Sequence, residues 1–278
     1  MKNILLLVMA ISLLGGMVVL SYFFTPLAWG AGLLWLCLTL LWLWSLRIKD
    51  SSIIDSFWGM GFVILAWLWY GLLPDSNPRA LVLCVLVSIW GVRLSTHIAV
   101  RNHGKGEDYR YQAFREAHGD KYWWRSYFRV YLLQGVLLWL ISLPLFFTQH
   151  TPFTGWTWVD ALGGIIWLAG FVFEALGDWQ LAQFKANPQN KGKVFDSGLW
   201  QYTRHPNYFG DAVLWWGYFD FAVAAGAGWT VLSPLLMTFL LMKVSGVALL
   251  EERLVETKPQ YLDYMSQTPA FFPKFWKR

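Results

Sequence analysis

The stretch Gly198-Leu-Trp-Gln-Tyr-Thr-Arg-His-Pro-Asn-Tyr-Phe-Gly-Asp211 leads straight into an apolar run over 212–227. It carries Arg204 and His205, the phenols of Tyr202 and Tyr208, the Asn207 amide and the Asp211 carboxylate. Pro206 suits the first residue of a helix, where its missing N–H is not needed and its fixed φ fits. A helix begun there leaves Arg204 just outside and puts Asn207 and Asp211 at i and i+4 on one face. Its free N–H groups beside Arg204 and His205 form an anion site of the kind a phosphate occupies. The plainer alternative is the polar interfacial start of a membrane helix, where Arg, His and Tyr are common. Asp211 lies more than a turn inside the helix, and that alternative does not account for it.

Working outward, the chain is 56% hydrophobic and 14% charged over 278 residues, with a mean hydropathy of +0.41. Apolar runs long enough to cross a bilayer recur, which excludes a soluble domain and makes the lipid bilayer the first partner. The 20 Trp and 12 Tyr suit aromatic belts at the headgroup level. Cys37 and Cys84 both lie inside apolar runs, so neither a structural disulfide nor a metal site is expected. No phosphate-binding Gly-rich loop of the Walker or Rossmann kind is present, so any nucleotide binds without those units. No nucleic-acid partner is expected.

The runs fall at 4–24, 27–46, 52–73, 80–100, 127–147, 158–184, 206–227 and 229–250. They predict an all-α, polytopic membrane helix bundle of about eight transmembrane helices. Residues 1–50 read as an N-terminal helical hairpin. Residues 51–278 read as the main transmembrane domain, with polar loops 101–126 and 185–205 and a tail from 251 to 278. A signal peptide is the alternative for 4–24, but no small-residue cleavage site follows it. Lys and Arg crowd the loops after the second, fourth and sixth runs and the tail, whereas the other loops hold only Arg79. By the positive-inside rule the charged loops and both termini face the cytoplasm.

Several polar residues ask for a role. Asp55, in Ser52-Ile-Ile-Asp55, is either a capping-box carboxylate or a catalytic acid. Asp160, in Thr157-Trp-Val-Asp160, reads as a cap only. Arg93, with His97 one turn on, either snorkels to the interface or serves a site. Glu174 and Asp178 share one helix face inside an apolar run, where each charge costs about 2.5–3.5 kcal/mol unless paired or wetted. Structural pairing with Arg93 is the alternative there. Lys185, Lys191, Lys193, Arg101, Lys105 and Arg110 line the cytoplasmic loops. There they set topology, or together they clamp a polyphosphate.

Together these residues resemble the steroid 5-alpha-reductase-like family of membrane reductases, nearest its short bacterial branch, with sterol delta-14 reductases as cousins. The resemblance runs from about Asp55 to Pro273. It is carried by Asp-Tyr-Arg-Tyr (108–111), Glu174-x-x-x-Asp178, the 198–211 stretch, Leu250-Glu251 and Phe272-Pro273. It implies seven family-like helices plus one N-terminal helix, in a bacterial inner membrane, with an active site opening to the cytoplasm. It also implies NADPH as the cofactor and reduction of an activated C=C bond in a lipophilic small-molecule substrate. Arg93, Asp178, Lys185, Lys193, Asn207 and Asp211 match residues placed against the cofactor. Arg101, Arg110, Tyr202, Arg204, His205, Tyr208 and Glu252 complete the expected nucleotide set, and Asp55 and Glu174 are the catalytic candidates. The chain departs from the steroid enzymes where they polarise a ketone with a Gln-Glu pair and a Tyr: it has Ile54-Asp55 and Trp90. The Arg-His-Pro-x-Tyr element with Glu251-Glu252 is shared with isoprenylcysteine and phospholipid methyltransferases, which use S-adenosylmethionine. That is the alternative function.

Overall fold

A computed structural model describes residues 25–244 and 246–275, and they are helical with connecting turns. The expected span over 4–24 lies outside the described residues. Five helical stretches are long and apolar enough to cross a membrane, or six if one bent pair counts as a single span. The chain is thus a helical membrane protein. It divides into two compact units, residues 1–154 and 155–278.

In the first unit, α1 (Thr25–Ile48), α2 (Ile53–Gly71) and α3 (Pro78–Asn102) are candidate spans. The α2 and α3 backbones touch at Gly59 and Gly91, where a Cβ on Gly91 would stand 2.5 Å from the Gly59 carbonyl oxygen. Small residues are what permit such an approach between apolar helices. Asn77 caps α3: its Oδ1 accepts from Ala80 N at 3.1 Å, and Pro78 occupies the first turn. Its Nδ2 donates to the carbonyls of Gln149 and Thr151 at 2.9 and 3.1 Å, tying this turn to the end of a later helix.

A polar helix, α4 (Tyr109–His118), follows, and then α5 (Tyr122–Ser126) runs through a π-helical segment (Tyr127–Leu132) into α6 (Leu133–Ile141). The axis bends by 41° between Ile141 and α7 (Leu143–His150). Pro144 stands at the start of α7 and cannot supply the N–H that would continue α6, which accounts for the break.

In the second unit, α8 (Trp158–Ala186) opens with the expected capping box. Asp160 Oδ2 accepts from Thr157 N at 2.8 Å, and Thr157 Oγ1 accepts from Asp160 N at 3.4 Å. α9 (Pro206–Ala224) starts at the residue the sequence marks, with Pro206 in its first turn and His205 as its N-cap. Then come α10 (Leu232–Phe239), a π-helical segment (Leu240–Val244), α11 (Val247–Thr257) and α12 (Tyr261–Gln267). α9 is not among the stretches apolar enough to count as a span. Its Trp, Tyr and Asp residues dilute the apolar run read over 206–227.

α8 and α9 pack along a glycine seam. Gly163, Gly170 and Gly177 recur every seven residues on α8, as do Gly210 and Gly217 on α9. A seven-residue period keeps the same face towards a neighbour crossing at a shallow angle. A Cβ on Gly170 would stand 2.6 Å from the Gly210 carbonyl oxygen, and one on Gly217 2.6 Å from Trp167 N. A larger residue at Gly170, Gly210 or Gly217 forces the helices apart, a strain of about 1–3 kcal/mol.

Candidate functional site

The seam buries three carboxylates. Glu174, Asp178 and Asp211 are 2%, 6% and 8% exposed. Gly210 lies directly against the Glu174 backbone, so the absence of a Cβ there brings α9 onto the acidic turn of α8. Asn207, in the first turn of α9, donates from Nδ2 to Asp178 Oδ1 at 3.0 Å. A carboxylate only accepts hydrogen bonds, so this contact fixes which end of the amide faces Asp178. The Asn207 Oδ1 is left buried without a hydrogen-bond partner among the described residues. An orphaned buried acceptor is costly unless a ligand or water donates to it. Tyr218 stands within electrostatic reach of Glu174 and Asp211.

One turn of chain away, Arg204 and His205 meet Glu251. Arg204 donates from Nε and Nη2 to the two Glu251 oxygens at 2.6 and 2.9 Å, the two-pronged geometry that Arg favours. His205 Nε2 lies 3.1 Å from Glu251 Oε1. Arg204 Nη1 donates to the carbonyls of Met265 and Thr268. Burial alone would lower the Arg204 pKa, but Glu251 outweighs it and the net shift is upward. Burial also raises the Tyr264 phenol above its usual range, and its hydroxyl donates to the Trp200 carbonyl. Both residues expected at the nucleotide here therefore point their polar atoms at Glu251 and the tail.

The first unit holds a separate polar cluster. Asp55 accepts from Arg110 Nη2 and from the Tyr111 hydroxyl, each at 2.6 Å. Gln134 Nε2 donates to that hydroxyl at 3.3 Å, and Trp58 Nε1 donates to Gln134 Oε1 at 2.6 Å. Arg110 also reaches Asp108 Oδ1 from Nε at 2.8 Å. The capping-box alternative for Asp55 is not realised: Ser52 makes no side-chain cap bond and its hydroxyl turns to Asp50 instead. Asp55 anchors the polar helix α4 to the start of α2.

The other candidates lie on separate elements within each unit. Arg93 is half-buried on α3, and Arg101 is exposed at its end, bonded to Asn102 at 3.2 Å. Lys185 and Lys193 are exposed at and beyond the end of α8, and Glu252 is exposed on α11. Tyr208 stacks on His205 with ring centroids 5.6 Å apart, and Tyr202 lies against Phe275 at 5.3 Å. Sequence reasoning did not give roles to Tyr111, Gln134 or Trp58, although Tyr111 closes the Asp-Tyr-Arg-Tyr element. Of the Glu251-Glu252 pair it placed Glu252 at the site, whereas Glu251 is the one bonded to Arg204. No group of three or more potential metal ligands occurs among the described residues.

Comparison with known proteins adds the following. An uncharacterized protein of Schizosaccharomyces pombe is 25% identical over 265 residues, covering 84% of this chain and 76% of that protein. A probable O-methyltransferase of Ustilaginoidea virens is 46% identical over 48 residues, 17% of each chain. No solved structure matches the chain. A family model matches residues 41–268, a span that takes in the acidic seam, the Arg204–Glu251 pair and the Asp55 cluster, and the chain therefore belongs to DUF1295, a family described as of unknown function.

Proposed function

We propose that the protein is an NADPH-dependent membrane reductase that transfers a hydride to an activated C=C bond of a lipophilic substrate such as a steroid, sterol or other enone lipid. The observation that carries this reading is the Asn207–Asp178 contact, with its leftover buried carbonyl inside the acidic α8/α9 seam. Such a group suits a ligand that brings its own N–H or O–H donors, as a nicotinamide carboxamide and a ribose do. Asp178, Asn207 and Asp211 would hold and orient the cofactor there. The exposed Lys185 in the last turn of α8 and Lys193 on the following loop supply positive charge for a 2′-phosphate, as point charges without the fork geometry of Arg. When bound, NADPH supplies the hydride.

The chain's own part is to exclude water from the buried seam and to offer donors where negative charge develops on the substrate. Glu174, buried one turn from Asp178, and Asp55 in its own cluster are the acids assigned to proton handling. The Lys and Arg bias of the loops supports an orientation with both termini and the nucleotide-binding loops on the cytoplasmic side of a bacterial inner membrane.

A second reading is favoured by one finding, the 46% identity over 48 residues to a probable O-methyltransferase. On that reading the cofactor is S-adenosylmethionine. Titration of NADPH, NADH and S-adenosylmethionine against detergent-purified protein separates the readings. The expected result is NADPH binding at least tenfold tighter than NADH through added charge contacts, weakened by salt. Tight S-adenosylmethionine binding without NADPH binding establishes the methyltransferase instead.

A further inference from the structure

Glu251 sits at the centre of a buried junction that joins the start of α9 to the C-terminal tail. Arg204 and His205 are 7% and 3% exposed. The guanidinium donates once from Nε, once from Nη2 and twice from Nη1, so four of its five N–H groups are engaged within the chain. Its backbone N–H also donates to the Pro269 carbonyl at 2.9 Å. The same tail grips the loop elsewhere. Thr203 Oγ1 donates to the Phe271 carbonyl at 2.8 Å, and Lys274 N to the Tyr202 carbonyl at 2.9 Å. Lys258 Nζ reaches the Lys193 carbonyl at 2.7 Å, and Gln260 Nε2 the Gly192 carbonyl at 2.8 Å.

Pro206 and Asn207 follow Arg204 and His205 directly, so whatever fixes the 204–205 turn fixes where the first turn of α9 lies. We propose that Arg204 and Glu251 are positioning residues: they lock the start of α9 and dock the tail, which holds Asn207 against Asp178, and they make no contact with the nucleotide. This rests on the cofactor reading of the α8/α9 seam. A guanidinium so occupied has at most one N–H for a phosphate, whereas a phosphate-binding Arg presents a free fork.

The test compares Arg204→Met, Arg204→Lys, Glu251→Leu and the double variant Arg204→Met/Glu251→Leu in detergent-purified full-length protein. The double variant removes both charges of the pair at once, so neither Arg204 nor Glu251 is left buried opposite an empty position, and it is expected to be less destabilised than either single charge deletion. The first measurement is limited trypsin digestion without ligand. Each single variant is expected to release the tail about tenfold faster than wild type, with the double variant no faster than either, because the two residues act as a unit.

The second measurement is NADPH affinity as a function of salt. Affinity is expected to fall about tenfold in the single variants while its salt dependence stays that of wild type, because no phosphate contact is lost. Arg204→Lys does not rescue, since an ammonium cannot span two carboxylate oxygens and two carbonyls. An intact tail in every variant, near-normal affinity in Arg204→Lys and a flatter salt dependence in Arg204→Met would together overturn the proposal. If wild type binds no NADPH, the cofactor reading falls by itself, and tail release alone decides whether the pair positions this junction.

Discussion

Asp178→Asn should stay folded in detergent and lose NADPH affinity by about ten- to a hundredfold. The substituted amide has the shape of the carboxylate and still offers an oxygen to Asn207 Nδ2, which now donates across 3.0 Å. What it loses is the charge, and a hydrogen bond to a charged group contributes about 1.5–3 kcal/mol, which sets the expected range. Asp211→Asn should behave alike, because Asp211 is buried on the same seam from the α9 side. The opposite pattern belongs to a purely structural carboxylate. Removing one partner of a buried ion pair costs about 3–5 kcal/mol of stability. Titration and thermal unfolding on the same preparation decide: wild-type affinity with a collapsed melting temperature takes Asp178 out of the site.

Asp55→Ala should destabilise the first unit by about 2–4 kcal/mol. It removes the acceptor of two 2.6 Å bonds, from Arg110 and from the Tyr111 hydroxyl. Tyr111 is 8% exposed, so its orphaned hydroxyl has little access to water. A mere cap would cost about 1 kcal/mol, and the Ser52 geometry already lacks the cap bond. Asp55→Asn keeps an acceptor for Tyr111 and gives the functional readout. If Asp55 handles a proton, this variant binds NADPH normally and turns over slowly; if Asp55 only anchors α4, turnover survives in whatever fraction stays folded. Thermal unfolding and turnover measured side by side distinguish the two.

What the sequence made legible was local. The start of α9 at Pro206 and the Thr157–Asp160 cap follow from residues within one turn of each other, where backbone geometry and capping chemistry leave few options. Burial of Glu174 and Asp178 was readable because two carboxylates at i and i+4 interrupt an apolar run. Contacts between distant segments were not readable. Arg204 looked like an anion ligand beside a helix N-terminus, and nothing near it announces that Glu251 folds back onto it. Asp55 reads in the sequence as a cap after Ser52 or as a catalytic acid, while its partners Arg110 and Tyr111 lie more than fifty residues on. The seven-residue glycine repeat was present throughout in α8 and α9. Glycine spacing becomes a packing statement only once two helices are known to face each other.

Hydride transfer to a lipid is measured directly by following an isotope from the cofactor into the product. Purified protein in lipid is given an α,β-unsaturated lipid ketone and NADPH deuterated at the transferable ring position. The predicted product has gained one deuterium from the cofactor and one hydrogen from solvent across the former double bond, with NADP+ formed in equal amount. Recovery of the unsaturated lipid without deuterium, together with methyl transfer from S-adenosylmethionine to an added lipid acceptor, would contradict the account.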